Sequence, residues 1–187
     1  MPDVPAPNLA GRKEIIETER LVLRPWRESD AEAAYEYASN PLIGKGAGWP
    51  PHSSVENSRE IIRTILAKPD NYAITLKGDD KVIGSIGFHG IGHALFGEIG
   101  PDEAEIGYWV AEPYWGQGII PEAATALIDY GFTDLNLGRI WCGYFADNTK
   151  SARVGEKLGF KYETTQNNPD QPNPIRIVTS LNRADWK

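Results

Sequence analysis

Apolar residues recur along the chain with two periods, and their alternation predicts the order of strands and helices. ERLVLRPW, residues 19–26, is typical of a strand, and Ser29 or Asp30 can cap the helix that follows. The Gly- and Pro-rich stretch 40–52 is predicted to be a loop, and Ser53 or Ser54 begins a second helix. The apolar faces of the two helices are predicted to be Ala31, Ala34, Tyr35 and Ala38, and Ile61, Ile62, Ile65 and Leu66.

The rest of the chain continues the alternation. Residues 71–77 and 81–90 flank the turn GDD and predict a hairpin. The strand AEIGYWV, residues 104–110, precedes a helix that begins at about Gln117 and presents Ala124, Leu127, Ile128 and Gly131 along one stripe. Further strands are predicted at 139–145, 160–165 and 174–181, with a helix at 148–159 that Gly159 closes. The last strand alternates Ile175, Ile177, Thr179 and Leu181. This order predicts an α/β domain around a mixed sheet.

Two glycines one residue apart, Gly116 and Gly118, stand where strand 104–110 gives way to a helix. Backbone N–H groups at a helix start have no intrahelical partner and lie at the positive end of its dipole, so a small backbone there suits an anion such as a phosphate. Pro121 fits the first turn, where an N–H would lack a partner anyway. By itself the pattern is weak, because turn glycines without a ligand are commoner. It is neither a P-loop nor a Rossmann fingerprint.

Composition narrows the function classes. A chain of 187 residues suits one domain, here 14–187, behind a flexible tail at 1–13. The formal net charge of −7 gives no basic surface for nucleic acid or for an anionic membrane. Cys142 is the single cysteine and the three histidines lack metal-ligand spacing, so we expect no disulfide and no metal.

The N-terminal residues and the hydropathy of the chain predict a location. The first dozen residues are polar and proline-rich, unlike a signal peptide. No run approaches the ~20 apolar residues of a membrane span. A cytoplasmic protein is therefore predicted.

Three motifs carry a resemblance to a known family. They are W-G-x-G-x-x-x-E-A at 115–123, N-x-x-S followed by E-K-L-G-F at 148–160, and TERLVLRPWRESDA at 18–31. Over residues 18–186 the chain resembles the GNAT N-acetyltransferases, most of all their ribosomal-protein N-terminal (alanine/serine) acetyltransferase branch. The resemblance implies a three-layer α/β fold with a mixed, mostly antiparallel sheet, a splayed strand pair and about four helices. The splayed pair would open a V-shaped cleft for acetyl-CoA.

The resemblance also implies how acetyl-CoA is held. Its pantetheine would pair with the backbone of Trp109, Val110 and Ala111. Its pyrophosphate would rest on the N–H groups of Gly116, Gln117, Gly118 and Ile119. Asn148 would hydrogen-bond the pantetheine, or serve as a helix N-cap, or both. Pro113 stands where the family usually has a long polar residue, so one side-chain donor is missing.

Acetyl transfer requires a neutral amine, and a lysine-type amine has a pKa near ~10.4, so a base is useful. Glu105, on the strand that lines the cleft, is the predicted base, although a solvated glutamate is an alternative. Weaker candidates for the base are Glu98, Asp102 and Glu103. Many relatives protonate the leaving thiolate with a tyrosine where this chain has Gly155. Ser151 is the predicted replacement and a cofactor contact, or only a helix-start serine; Tyr144 is a less favoured donor.

The acceptor site is the least defined part of the prediction. Trp49, His52 and Tyr108 are the predicted acceptor-binding residues, although the loop of Trp49 and His52 could equally be anchored in the core. The predicted reaction moves the acetyl group to a primary amine, a protein N-terminus or a small molecule, by direct attack in a ternary complex. The alternative is a non-catalytic acyl-CoA sensor, which the missing tyrosine favours. Homodimerisation stays open.

Overall fold

A computed structural model describes residues 7–169 and 173–187 of the chain. These residues divide into two compact units, each of which is described by itself. The first unit contains residues 13–87 and 108–126, and the second contains 88–107, 127–187 and the described residues before Lys13. The predicted tail falls partly outside the described residues, at 1–6. Its remainder includes a 3₁₀ turn at Leu9–Gly11 and a bond from the Asn8 N–H to the Leu135 carbonyl, 2.9 Å.

The regular elements follow the predicted order, with additions. The described strands are β1 (Ile16–Glu17), β2 (Leu21–Pro25), β3 (Asn71–Leu76), β4 (Asp79–Ile91), β5 (His93–Ala94), β6 (Gly97–Glu98), β7 (Glu103–Val110), β8 (Arg139–Phe145), β9 (Lys161–Asn167) and β10 (Ile175–Asn182). The described α-helices are α1 (Ala31–Ala38), α2 (Pro41–Ala47), α3 (Val55–Ile61), α4 (Ile119–Thr133) and α5 (Thr149–Leu158). No helix in the described part of the chain is both long and apolar enough to cross a bilayer.

The first unit is built on antiparallel strands in the order β1-β2-β3-β4, followed by the end of β7. The predicted hairpin of β3 and β4 is present. The Ala111 N–H donates to the Ile83 carbonyl over 2.8 Å, which ties the end of β7 to β4. Gly84 permits this close approach, because a Cβ there would lie 2.5 Å from the Trp109 carbonyl oxygen. The backbone entering the Gly116–Gly118 segment is therefore fixed on one side.

The predicted loop at 40–52 is wrong for its first half, since Pro41–Ala47 forms α2. The Asn40 side chain caps this helix by accepting from the Leu42 N–H, Pro41 occupies the first turn, and Gly48 ends the helix at φ 86°. Proline is favoured in the first turn of a helix and glycine just after its end, and they take these positions here. The high content of Gly and Pro in this stretch had suggested a loop.

The second helix begins as predicted, with Ser54 accepting from the Asn57 N–H over 3.0 Å. Its predicted apolar face is wrong at Ile65, which is 60% exposed, whereas Ile62 is fully buried. The segment Ile62–Leu66 is a π-helical turn, which rotates later side chains away from the face that a 3.6-residue period predicts.

In the second unit the strand order is β4-β7-β8-β10-β9, using the ends of β4 and β7 that belong to it. β7 and β8 are parallel, whereas β10 pairs antiparallel with both β8 and β9. The parallel register covers three residue pairs and its last pair is Glu105 with Trp141, although β8 continues to Phe145. This short pairing agrees with the predicted splayed pair, and the mixed, mostly antiparallel sheet is confirmed.

The last strand is present, but its predicted alternation is wrong. Ile175 is 43% exposed, whereas the four consecutive residues from Val178 to Leu181 are buried. β10 lies between β8 and β9, and its register with β9 shifts between Val178 and Thr179. Because consecutive side chains point to opposite faces of a strand, burial of all four shows that both faces are covered here, whereas the predicted alternation assumed one covered face.

We expect the buried Arg24–Asp30 pair to be a large contributor to stability. The Arg24 guanidinium, 3% exposed, donates to both Asp30 oxygens over 2.8 and 2.9 Å. Asp30→Ala leaves this charge buried without its main partner and should cost about 3–5 kcal/mol of unfolding free energy. The exposed Glu56–Arg59 pair of α3 is the control, since Glu56→Ala should cost less than about 0.5 kcal/mol. Urea denaturation measures both, and equal losses would contradict the prediction.

Candidate active site

The segment between β7 and α4 forms a small backbone cradle in the first unit. Gly116 and Gly118 have φ angles of 75° and 78°, in the left-handed region that side chains rarely adopt. The Trp115 indole donates to the Val110 carbonyl over 2.9 Å, and the Gln117 amide donates to the Pro113 carbonyl over 2.7 Å. Ile119, only 3% exposed, anchors the start of α4. The open backbone at the start of a 15-residue helix is an arrangement that suits a phosphate.

A side-chain clamp from the front of the chain holds this helix start. The Glu122 carboxylate accepts from the Thr18 hydroxyl over 2.5 Å, and from the backbone N–H and the guanidinium of Arg20 over 2.8 and 2.7 Å. The Arg20 guanidinium also donates to the Gln117 carbonyl over 3.2 Å. Two of the three sequence motifs thus meet here. Arg20 was not a predicted site residue, because nothing in its local sequence indicates this contact.

Three aromatic side chains meet elsewhere in the first unit. Trp49 lies edge-on to Trp109, with ring centroids 6.1 Å apart, and its ring is 5.4 Å from that of His52. His52 is 7% exposed and its Nδ1 is 2.8 Å from the Ser58 hydroxyl. Burial lowers the pKa of His52, so its ring is neutral near pH 7. His52 anchors the loop, whereas Trp49 and Tyr108 are only half-buried.

Glu105 occupies the end of the parallel pairing in the second unit and is 1% exposed, which argues against a solvated glutamate. Its Oε2 accepts from the Leu95 N–H over 2.6 Å, and its Oε1 lies 3.3 Å from Nη2 of Arg176. Leu95 belongs to the small β5–β6 hairpin, which formed no part of the predicted fold. These contacts give the carboxylate a fixed orientation.

Burial raises the pKa of Glu105 above its ordinary value, because a charged carboxylate loses its hydration. The positive charge of Arg176 and the backbone N–H groups of Leu95 and Gly143 act in the opposite direction. A carboxylate with a raised pKa is a stronger base than a free glutamate, which is the property that proton abstraction from an amine requires.

His89, on β4, is a second titratable residue that sequence reasoning missed. Burial, followed by the positive charges of Arg176 and His93, lowers its pKa to about 4. By surface area the His89 side chain is nevertheless exposed, although its ring packs on the backbone of Gly107, where a Cβ would collide with it. Solvent weakens both the burial effect and the charge effects, but the direction of the shift makes His89 neutral near pH 7.

The weaker candidates for the base have other contacts. Glu103 accepts from the Trp141 indole over 2.6 Å and from the Gly100 N–H over 3.1 Å. Asp102 packs against the backbone of Gly138, and Glu98 is exposed on β6. Among the four carboxylates, Glu105 combines the deepest burial with a raised pKa.

The predicted proton donor and pantetheine contact lie at the start of α5. The Asn148 side chain caps this helix by accepting from the Ser151 N–H over 3.1 Å, so the capping role is present. Ser151 is half-buried, and Gly155, one turn later, is buried. A Cβ at Gly155 would lie 3.8 Å from the Phe160 Cβ, an ordinary contact. Burial raises the pKa of Tyr144, which makes this phenol a weaker acid.

Comparison with known proteins identifies the class of enzyme. The acetyltransferase (GNAT) domain matches residues 20–161. An uncharacterized N-acetyltransferase, p20 of Bacillus licheniformis, is 37% identical over 80% of this chain and 84% of its own length. The ribosomal-protein-serine acetyltransferase of Escherichia coli is 29% identical over 78% of this chain and 82% of its own. The chain is thus an N-acetyltransferase.

The solved structures support the same conclusion. A GNAT-family acetyltransferase from Bacillus anthracis superposes with a TM-score of 0.78 and 27% identity, covering 91% of this chain and 99% of its own. The chain therefore belongs to the GNAT acetyltransferase family, which uses acetyl-CoA. This membership supports an enzyme over the non-catalytic acyl-CoA sensor.

Proposed function

We propose that the protein transfers the acetyl group of acetyl-CoA to a primary amine by direct attack, with Glu105 as the base. The observation that carries this proposal is the fixed, buried carboxylate of Glu105 at the end of the parallel β7–β8 pairing. In the reaction the amine nitrogen attacks the thioester carbonyl, the C–N bond forms and the C–S bond breaks. Glu105 takes the proton that the amine loses, and the CoA thiolate receives a proton in turn.

The cradle of Gly116, Gln117, Gly118 and Ile119 is proposed to bind the pyrophosphate of CoA. The adjacent Arg20 guanidinium adds positive charge without depending on the polar residue that Pro113 replaces. The Ala111 N–H is already bonded to Ile83, and backbone groups of an extended strand alternate in direction. The Val110 carbonyl already accepts from the Trp115 indole. Of Trp109, Val110 and Ala111, we therefore propose the Val110 N–H as the main backbone partner of the pantetheine, with Asn148 as a further contact.

The acceptor is proposed to be a protein N-terminus, with a small-molecule amine as the other option. The name of the Escherichia coli relative favours the first, since it describes a ribosomal-protein acetyltransferase. Trp49, Tyr108 and His52 are proposed to border the acceptor, Trp49 and Tyr108 by contact and the buried His52 by holding its loop. Comparing thiol release with N-terminal peptides and with small amines decides between the options.

The cradle is tested by Gly118→Val. A valine at φ 78° crowds the backbone, so a micromolar Kd for acetyl-CoA should weaken by about tenfold or more in calorimetry. Gly78→Val is the matched control, because Gly78 has φ 84° in the β3–β4 turn and no neighbour within 4 Å. Both variants should lose about 1–2 kcal/mol of stability, but only the first should lose affinity. Equal affinities would remove the cradle from the site.

The base is tested by Glu105→Gln. The amide cannot accept the amine proton, so turnover at neutral pH should fall on the order of 100-fold while acetyl-CoA affinity changes little. Glu98→Gln on the exposed β6 serves as control and should retain parental turnover. A Glu105→Gln pH–rate profile that overlays the parental one would assign the base to another group or to water.

Ser151 is proposed to assist the departing thiolate, since Gly155 replaces the usual tyrosine. Because a serine hydroxyl is a weaker acid than a thiol, Ser151 would hydrogen-bond the thiolate, or pass it a proton while taking one from water in the same step. Ser151→Ala should then lower turnover about 10- to 1000-fold, or about 1.4 to 4 kcal/mol, with little change in acetyl-CoA binding. The Asn148 cap survives, because it uses the Ser151 backbone N–H. Thr149→Ala, an exposed hydroxyl in the same turn, is the control. A loss below about threefold points to water as the donor, and weakened acetyl-CoA binding points to a cofactor contact.

A further inference from the structure

Arg176 of β10 lies beside the proposed base and has no assigned role. Its Nη2 is 3.3 Å from the Glu105 carboxylate, and its Cζ is 6.0 Å from the ring centroid of Phe145. The arginine side chain is 21% exposed, whereas that of Glu105 is 1% exposed. The Nε atom of Arg176 is buried and has no hydrogen-bond partner among the described residues. The guanidinium therefore donates to Glu105 through Nη2, while its Nε donor stays without a hydrogen bond among the described residues.

Gly143 of β8 makes room for this pair. A Cβ at position 143 would lie 2.5 Å from Nε of Arg176 and 3.0 Å from Oε1 of Glu105. No left-handed φ is recorded for Gly143, so the lack of a side chain, and not backbone freedom, is what its position uses. The glycine is thus a notch that the arginine crosses to reach the carboxylate.

We propose that Arg176 is a positioning residue: its guanidinium keeps the Glu105 carboxylate ionised and holds it in a fixed orientation through Oε1. This role rests on the proposed function of Glu105. A buried carboxylate without a cation nearby takes up a proton and can no longer act as a base. Arg176 opposes that protonation, and it stays charged at every pH at which the enzyme can work.

The other groups that face Glu105 do not replace Arg176. From β5, His93 adds positive charge when it is protonated, and the Leu95 and Gly143 N–H groups contribute only partial charges. From β4, His89 is neutral near pH 7 and itself responds to Arg176. Arg176 is therefore the group in this set with a permanent full positive charge.

The test compares pH profiles of kcat/KM for Arg176→Gln, Arg176→Lys and Gly143→Ala with the parent. Arg176→Gln should move the acidic limb to higher pH by about one unit or more, because Glu105 then protonates more readily. Arg176→Lys should move the limb less than Arg176→Gln does, because lysine keeps the positive charge. Gly143→Ala should move the limb in the same direction while both charges remain, since its methyl group displaces the pair. Arg139→Gln is the control, because Arg139 also stacks on an aromatic ring, Trp141 at 5.0 Å, but bonds Asn182.

A second readout does not depend on activity. Removing the Arg176 charge should raise the pKa of His89 from about 4, as measured by NMR of its imidazole nitrogens. A His89 shift without any movement of the acidic limb would overturn the positioning role, and so would an unchanged limb in a folded Arg176→Gln protein. The proposed function fails separately, if Glu105→Gln retains the parental profile.

Discussion

The burial of one carboxylate is the constraint on which the candidate site depends. Glu105 lies where the parallel pairing of β7 and β8 ends, and at 1% exposure its hydration is replaced by the N–H groups of Leu95 and Gly143 and by Arg176. Removing one of these partners disfavours the charged form of a buried carboxylate. In the proposed mechanism, the β5–β6 hairpin and the Gly143 notch therefore support the ionisation of Glu105.

In the first unit, the proposed binding of the CoA pyrophosphate requires that the start of α4 stays open to an anion. The dipole of α4 and the two left-handed glycines attract negative charge, and the nearest carboxylate, Glu122, could compete for that place. Thr18 and Arg20 bind the Glu122 carboxylate instead. Although burial acts to raise the pKa of Glu122, those bonds lower it overall, so Glu122 remains ionised and clamped. Because its charge is paired with Arg20, Glu122 holds the helix start with less repulsion of a phosphate than an unpaired carboxylate would exert.

The sequence predicted what depends on local periodicity and on motifs, namely the β3–β4 hairpin and the helix caps at Ser54 and Asn148. The roles of the cradle and of Glu105 stay predictions. Sequence reasoning failed where the geometry breaks a period. Pro41 and Gly48 mark the ends of a helix instead of a loop, and the π turn after Ile61 exposes Ile65. In β10 both faces are covered around Val178, so burial does not alternate there. The partners of the site, Arg20 and Arg176, lie far from it in sequence, so no local pattern could identify them.

The base and the acid of the proposed reaction do not face equal demands, which accounts for the absence of the usual tyrosine at position 155. An amine with a pKa between ~8 and ~10.4 is largely protonated near pH 7 and needs a base. A thiol has a pKa near ~8.5, so a thiolate is a stable leaving group and needs an acid much less. Gly155 in place of a tyrosine removes only the acid that would protonate the thiolate, and Ser151 or water can take over that step. Loss of Glu105 would remove the proposed base for the amine, and the contacts of its carboxylate with the Leu95 N–H and Arg176 favour the charged form.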